Sequence, residues 1–303
     1  MADPCGFLVI NKPAGPSSHD CVATARRLLH TRRVGHGGTL DPAVTGVLPL
    51  AIGPATRLLP YLDGRKCYEG SVQLGLRTSS DDLSGNVLAE APWPSLSAAE
   101  LEPWLAGFRG AQQQRPPAVS AVHVDGERAY ARARRGEILD LPPRPVIIET
   151  LELTGWDPLT GRLSLRLRCS AGTYVRSLAR DLGEQLGCGG CLAALRRTAA
   201  LGFQLEQALE LEELNPDSPL IDPICPLGHL PQRQLLESEW LAWTRGQRLA
   251  GVVGESEQGS EQGSEFAADQ AWVILRPDGS LAGMARQRPE GSLQPKLVFD
   301  AAG

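Results

Sequence analysis

Residues 161–187 read GRLSLRLRCSAGTYVRSLARDLGEQLG. Leu163, Leu165 and Leu167 alternate with Arg162, Ser164, Arg166 and Arg168, the period of a strand with one apolar and one basic face. From Thr173, a residue able to cap a helix, Leu178, Leu182 and Leu186 recur at helical spacing until Gly187. Arg176 falls in the first turn of that helix, where the dipole favours acids. Its position calls for a partner, a carboxylate or a phosphate.

Working outward, strands and helices intersperse without a regular βαβ repeat, so an α+β domain around a mixed sheet is expected. Gly6–Ile10 predicts a strand ended by Asn11-Lys12-Pro13. Ser17 or Ser18 caps a helix carrying Val22, Ala25 and Leu29. Residues 34–46, VGHGGTLDPAVTG, form a loop before the apolar Val47–Ile52. Cys67–Gly75 and Pro145–Trp156 predict further strands. Ser97 to Glu100 is a capping box opening a helix with Leu101, Trp104, Leu105 and Phe108 on one face. Four prolines crowd Asn215–Leu230, which divides the chain into residues 1–225 and a small β-rich segment, 226–303. In the latter, Ala271–Leu275 and Leu281–Ala285 flank a Pro-Asp-Gly turn, a hairpin. A Ser-Glu-Gln-Gly repeat within 254–270 predicts a disordered insertion.

The chain has 303 residues and a formal net charge of −5. That charge is polarised: +4 over residues 1–205 and −9 over 206–303. Three arginine clusters occupy the first part: 26, 27, 32 and 33; 128, 132, 134 and 135; and 162, 166, 168, 176 and 180. Guanidinium suits phosphate, so a polyanionic partner is expected. No apolar run approaches the ~18 residues that span a bilayer, so no membrane role is expected. Seven cysteines without a visible secretory signal suggest reduced thiols and a cytoplasmic location.

Asp41 is the leading chemical candidate. Pro42 pushes it toward extended backbone, and Gly35, Gly37, Gly38 and Gly46 let a ligand approach closely. Such a carboxylate can be a nucleophile, a general base or a metal ligand, or simply an Asx-turn residue. His36 lies five residues upstream. Tyr68 follows Arg65-Lys66 on a predicted strand and can stack on a base or pack in the sheet. Cys188-Gly189-Gly190-Cys191 has no second pair for zinc, and no P-loop, GxGxxG, HExxH or GxSxG is present.

Five blocks occur in order: Asn11 to Ser18, NKPAGPSS; Gly35 to Pro42, GHGGTLDP, through Gly46; Lys66-Cys67-Tyr68; Ser170 to Arg176, SAGTYVR; and Leu195-Arg196-Arg197. Together they resemble the bacterial TruB-type family of tRNA pseudouridine-55 synthases. The resemblance implies the pseudouridine synthase fold, a C-terminal PUA-like domain, no cofactor or metal, and action on the T-stem-loop of tRNA; a monomer is expected. It implies Asp41 as nucleophile, Tyr68 stacked on the target base and Arg176 paired with Asp41. Leu195 would pack near the uracil and His36 would touch the everted RNA. Lys12 belongs to the first, more structural block of the substrate site. Gly190-Cys191 departs from the Ala-His often found before the Leu-Arg-Arg block. The other readings are a tRNA-folding module with incidental catalysis, a guide-RNA-dependent relative, and a small-molecule hydrolase built on Asp41.

Overall fold

The computed structural model describes residues 4–299, apart from 121, 125–126, 130–131, 133–134, 136, 138–140 and 251–268. In chain order come β1 (Gly6–Lys12), α1 (Ser18–Leu28), β2 (Val34–His36), β3 (Thr45–Ile52), β4 (Lys66–Leu74), β5 (Leu76–Thr78), β6 (Val87–Glu90), α2 (Ala98–Ala106) and β7 (Gly110–Gln114). Then follow β8 (His123–Val124), β9 (Glu127–Arg128), β10 (Arg144–Asp157), β11 (Arg162–Cys169), α3 (Val175–Gln185), β12 (Gly190–Ala200), β13 (Phe203–Gln204) and β14 (Leu209–Glu210). The C-terminal part holds β15 (Gln232–Gln234), α4 (Glu237–Thr244), β16 (Ala271–Leu275), β17 (Leu281–Gln287) and β18 (Leu293–Val298).

A ten-stranded sheet runs in the order β14-β1-β3-β12-β4-β11-β10-β7, with β2 on β3 and β13 on β12. The β1–β14 and β3–β12 pairs are parallel and the others antiparallel, so the sheet is mixed. On β11 the alternation is realised: Leu163, Leu165, Leu167 and Cys169 are buried while Arg162 and Arg166 face outward. Leu178 and Leu182 of α3 join the same core, with Leu186 packed against it.

Local signals are refined in three places. Ser17, not Ser18, caps α1 through a reciprocal bond with Asp20, and Ser18 is turned to the loop before β3. Tyr174 rather than Thr173 precedes α3, with no side-chain cap. On α2, Leu101 and Leu105 are buried but Trp104 is 40 % exposed; the helix stops at Ala106, so Phe108 reaches the core from the following turn.

The Pro-rich segment is not a free linker. Ile221 exchanges two backbone hydrogen bonds with Phe7 of β1. Beyond it, β15-β16-β17-β18 form a four-stranded sheet. Val273, Met284, Leu297 and Phe299 of this part pack with Phe7, Val9, Val47 and Leu58 in one apolar cluster. Arg57 lies over the Phe299 ring, 5.0 Å from its centroid. The expected insertion at 254–270 falls outside the described residues except for Asp269 and Gln270. No described helix is long and apolar enough to cross a membrane.

A shared cluster couples the two sheets. Met284→Ala, at a fully buried position, is expected to lower stability by about 2–5 kcal/mol. Urea unfolding followed by tryptophan fluorescence and by far-UV circular dichroism should shift together as one transition.

Candidate active site

Asp41 sits on the loop between β2 and β3, and almost every residue around it is pinned. The Gly37 amide donates to Pro49 O at 2.9 Å. Ser18 Oγ accepts from the Leu40 amide at 2.8 Å and donates to Leu40 O at 3.1 Å. The Pro42 carbonyl accepts from the Gly15 amide at 2.9 Å and from Lys12 Nζ at 3.1 Å. Arg197 donates through Nη2 to Gly38 O at 3.1 Å and through Nε to Val47 O at 2.7 Å. Gly46 ends the loop at φ +101°, where a Cβ would meet the Arg197 carbonyl at 2.1 Å. The parallel approach of β12 to β3 therefore requires glycine there.

This anchoring leaves the Asp41 carboxylate pointing out of a rigid turn. It pairs with Arg176 Nη2 at 3.0 Å, the arginine side chain 8 % exposed and the aspartate 43 %. The same guanidinium donates to Ser80 O at 2.9 Å and Val119 O at 3.0 Å. Its Nε lies 3.8 Å from Asp82 Oδ2. The partner that α3 lacked in sequence is thus supplied by three distant segments. The buried ion must keep them, because breaking such a pair from the arginine side strands desolvated groups.

A cavity of about 70 Å³ opens beside the pair, lined by Asp41, Val44, Leu83, Arg176, Leu192 and Leu195 among others. Through Ala43, Ala194 and Leu195 it adjoins a groove of about 510 Å³ that reaches Arg166 and Arg196. Asp41, Arg176 and Leu195 therefore share one opening. Tyr68 does not line it: the ring is 6 % exposed on β4 and faces Arg197 across the ladder. Burial pushes its phenol above the usual range, and the Arg197 guanidinium pulls it back. Lys12 is fully buried, its ammonium enclosed by the carbonyls of Pro13, Pro16 and Pro42. It is a clamp on the Asp41 loop, with no surface for a substrate.

His36 Nδ1 accepts the Gly38 amide at 3.3 Å, and its ring meets His19 edge-on at 5.5 Å. Burial, with His19 and Arg197, holds it below the usual histidine range, so it is neutral at pH 7. Sequence reasoning missed Asp82 and Arg197. The first lay in a polar turn, 79–85, that reads as punctuation; the second stood beside Leu195 in a block where only the leucine was singled out. Cys188 and Cys191 are buried free thiols, and burial raises Cys191 to about 11. No cluster of three or more His, Cys, Asp or Glu groups forms a metal site among the described residues.

The basic face expected on β11 is a checkerboard. Arg166 pairs with Glu69 of β4 at 3.0 Å and Arg168 with Glu149 of β10 at 2.8 Å. Arg135 is held by Glu127 and Glu137. Arg26, Arg27, Arg32 and Arg33, around the end of α1, are exposed and form no ion pair among the described residues.

The depressed His36 value has a thermodynamic consequence. As pH falls through about 6.5 the unfolded chain takes up a proton before the folded one, so stability present above that pH is lost below it. His36→Asn is expected to flatten the pH dependence of the urea midpoint between about pH 5 and 7 relative to the unaltered chain.

The N-terminal domain of the TruB family pseudouridylate synthases matches residues 26–175. The tRNA pseudouridylate synthase B C-terminal domain matches residues 176–220. The tRNA pseudouridine synthase B of Parasynechococcus marenigrum (strain WH8102) is 59 % identical over the full length of both chains. That of Synechococcus sp. (strain WH7803) is 55 % identical, again with complete coverage of both. Among solved structures, a Cbf5-Nop10-Gar1 complex contains a chain with a TM-score of 0.70 at 23 % identity, covering 97 % of this chain and 84 % of its own; it shares the fold. With a carboxylate on a glycine-lined turn paired to a buried guanidinium, and full-length relatives at this identity, the chain belongs to the TruB family of pseudouridylate synthases.

Proposed function

We propose that the chain isomerises the uridine at position 55 in the T-loop of tRNA to pseudouridine, with Asp41 as the nucleophile. The observation that carries this reading is the Asp41–Arg176 pair at 3.0 Å at the mouth of a cavity shared with Leu195. The N1–C1′ bond of the everted nucleotide breaks, the uracil turns over, and a C5–C1′ bond forms. The C5 proton is lost and N1 gains one, so no atom enters or leaves overall. Asp41 attacks the sugar or the ring, and a rigid loop keeps its oxygen in place while the base rotates.

The target base must leave its stack to reach this opening. Leu195 supplies an apolar wall, and the exposed arginines at the end of α1 suit the RNA backbone. Tyr68, a neutral phenol behind the pocket, is proposed to stack on the base once it enters. His36 is proposed to contact the everted RNA. Residues 1–225 act as the catalytic unit and 226–303 as a PUA-like RNA-binding part. The chain works as a cytoplasmic monomer on RNA without a guide or cofactor.

Asp41 is nearly half exposed, and Arg176 keeps two backbone acceptors and the Asp82 carboxylate 3.8 Å away. Losing the carboxylate therefore costs on the order of 1 kcal/mol. Asp41→Asn should fold, bind a T-stem-loop within a few-fold of the unaltered chain, and lose pseudouridine formation by roughly 10⁴-fold or more. Tritium release from 5-³H-uridine RNA measures this, and retained turnover removes Asp41 from the mechanism. Arg176→Lys keeps a charge but not the fork that spans Asp41, Ser80 and Val119. A displacement near 1 Å is worth about 10²-fold, so single-turnover rate should fall by that factor with RNA affinity little changed.

A further inference from the structure

Gly38, three residues before Asp41, has φ +121° and its open side faces two cations. A Cβ built there would lie 3.2 Å from Lys66 Nζ and 3.6 Å from Arg197 Nη1. The two charges thus converge closer than the ~10 Å over which 0.1 M salt screens. Neither forms an ion pair among the described residues. Arg197 is fully buried, and its Nη1 has no hydrogen-bond partner among them. Lys66 is half-buried and reaches the surface beside the half-buried Gly38.

Such an arrangement is unfavourable as it stands. Like charges repel, and burial with Arg197 already holds the Lys66 ammonium below its usual range. Two arginines of neighbouring β11 found glutamates: Arg166 has Glu69 and Arg168 has Glu149. Here no acid among the described residues pairs with either cation. Glycine at position 38 keeps the approach open where any Cβ would crowd the ammonium. Three residues of chain reach at most about 10 Å, so the spot is within a neighbouring nucleotide's distance of the Asp41 backbone.

We propose that Lys66, backed by the buried Arg197 and reached past the open Cα of Gly38, seats one backbone phosphate of the RNA beside the everted nucleotide. The lysine makes the contact and the arginine supplies field from behind it. The seat locks the strand in register, so that the base of one particular nucleotide meets Asp41. It rests on the reading of the chain as an enzyme acting on the tRNA T-arm and adds a subsite to it. A single phosphodiester is the ligand, recognised through charge rather than base identity.

The test is binding of a fluorescent T-stem-loop RNA to the unaltered chain, Lys66→Gln and Lys66→Arg between 50 and 200 mM salt. Lys66→Gln should bind roughly five- to tenfold more weakly near 0.1 M. Its slope of log affinity against log salt should be shallower by about 0.7–0.9, the signature of one lost phosphate contact. Lys66→Arg should keep both. A set of RNAs each carrying one uncharged methylphosphonate linkage identifies the phosphate without altering the protein. One linkage near the target should weaken binding by the same factor in the unaltered chain and have no effect in Lys66→Gln. Unchanged affinity and slope in Lys66→Gln, or an equal penalty from that linkage in both proteins, overturns the seat. If instead the unaltered chain forms no pseudouridine in this RNA, the reading of its substrate fails, a separate result from the binding series.

Discussion

A desolvated guanidinium needs acceptors on every side, and Arg176 finds them in Asp41, Ser80, Val119 and Asp82. That one requirement ties the glycine-lined loop, the 79–84 turn and the segment after β7 to the first turn of α3. The arginine is unfavourable at a helix N-terminus by itself. It is tolerated because the fold wraps acceptors around it. The Asp41 carboxylate, at 43 % exposure, lines the cavity with Asp82 and Arg176 but is more open than either. The asymmetry matters: the arginine is structural as well as electrostatic, while the aspartate is free to meet a substrate.

Rigidity of the Asp41 loop comes from a second buried cation. Lys12 is enclosed by three carbonyls, Pro13, Pro16 and Pro42. Removing an ammonium from water is costly unless it is fully hydrogen-bonded, and burial does push its pKa down, with Asp41 and Cys21 acting the other way. What the arrangement secures is position: β1, the turn after it and Pro42 move as one body. Arg197 performs the same service from the opposite side through Gly38 and Val47. Two charges held behind the loop and one beside it place a carboxylate with little freedom to relax.

The distribution of charge is less simple than a basic cleft. Strands adjoining β11 bring glutamates opposite two of its arginines, Arg166 and Arg168. Exposed pairs of this kind contribute little to stability, but they set where positive potential survives. The end of α1 and Lys66 beside Gly38 are among the places where it survives. There a phosphate meets no carboxylate of the described residues paired with the same cation.

Period-two alternation in 162–169 and the leucine repeat in α3 were legible because they are local: side-chain direction follows from backbone geometry alone. The capping box at Ser97 and a serine cap at 17 or 18 were legible for the same reason, each closing within four residues. The Asp41 loop stood out through its glycines and Pro42, and the family resemblance named its partners. Asp82 and the roles of Lys12 and Arg197 were not legible. A lysine in a turn and an arginine on a strand look like surface residues until the fold surrounds them. The glutamates opposite Arg166 and Arg168 were equally hidden, since they depend on cross-strand register, which for Arg166 and Glu69 links positions 97 residues apart. The sequence alone therefore determined many of the elements, the reactive turn and the family. Tertiary structure decided which charges are neutralised, buried or left open, because that depends on what other strands bring within a few ångströms.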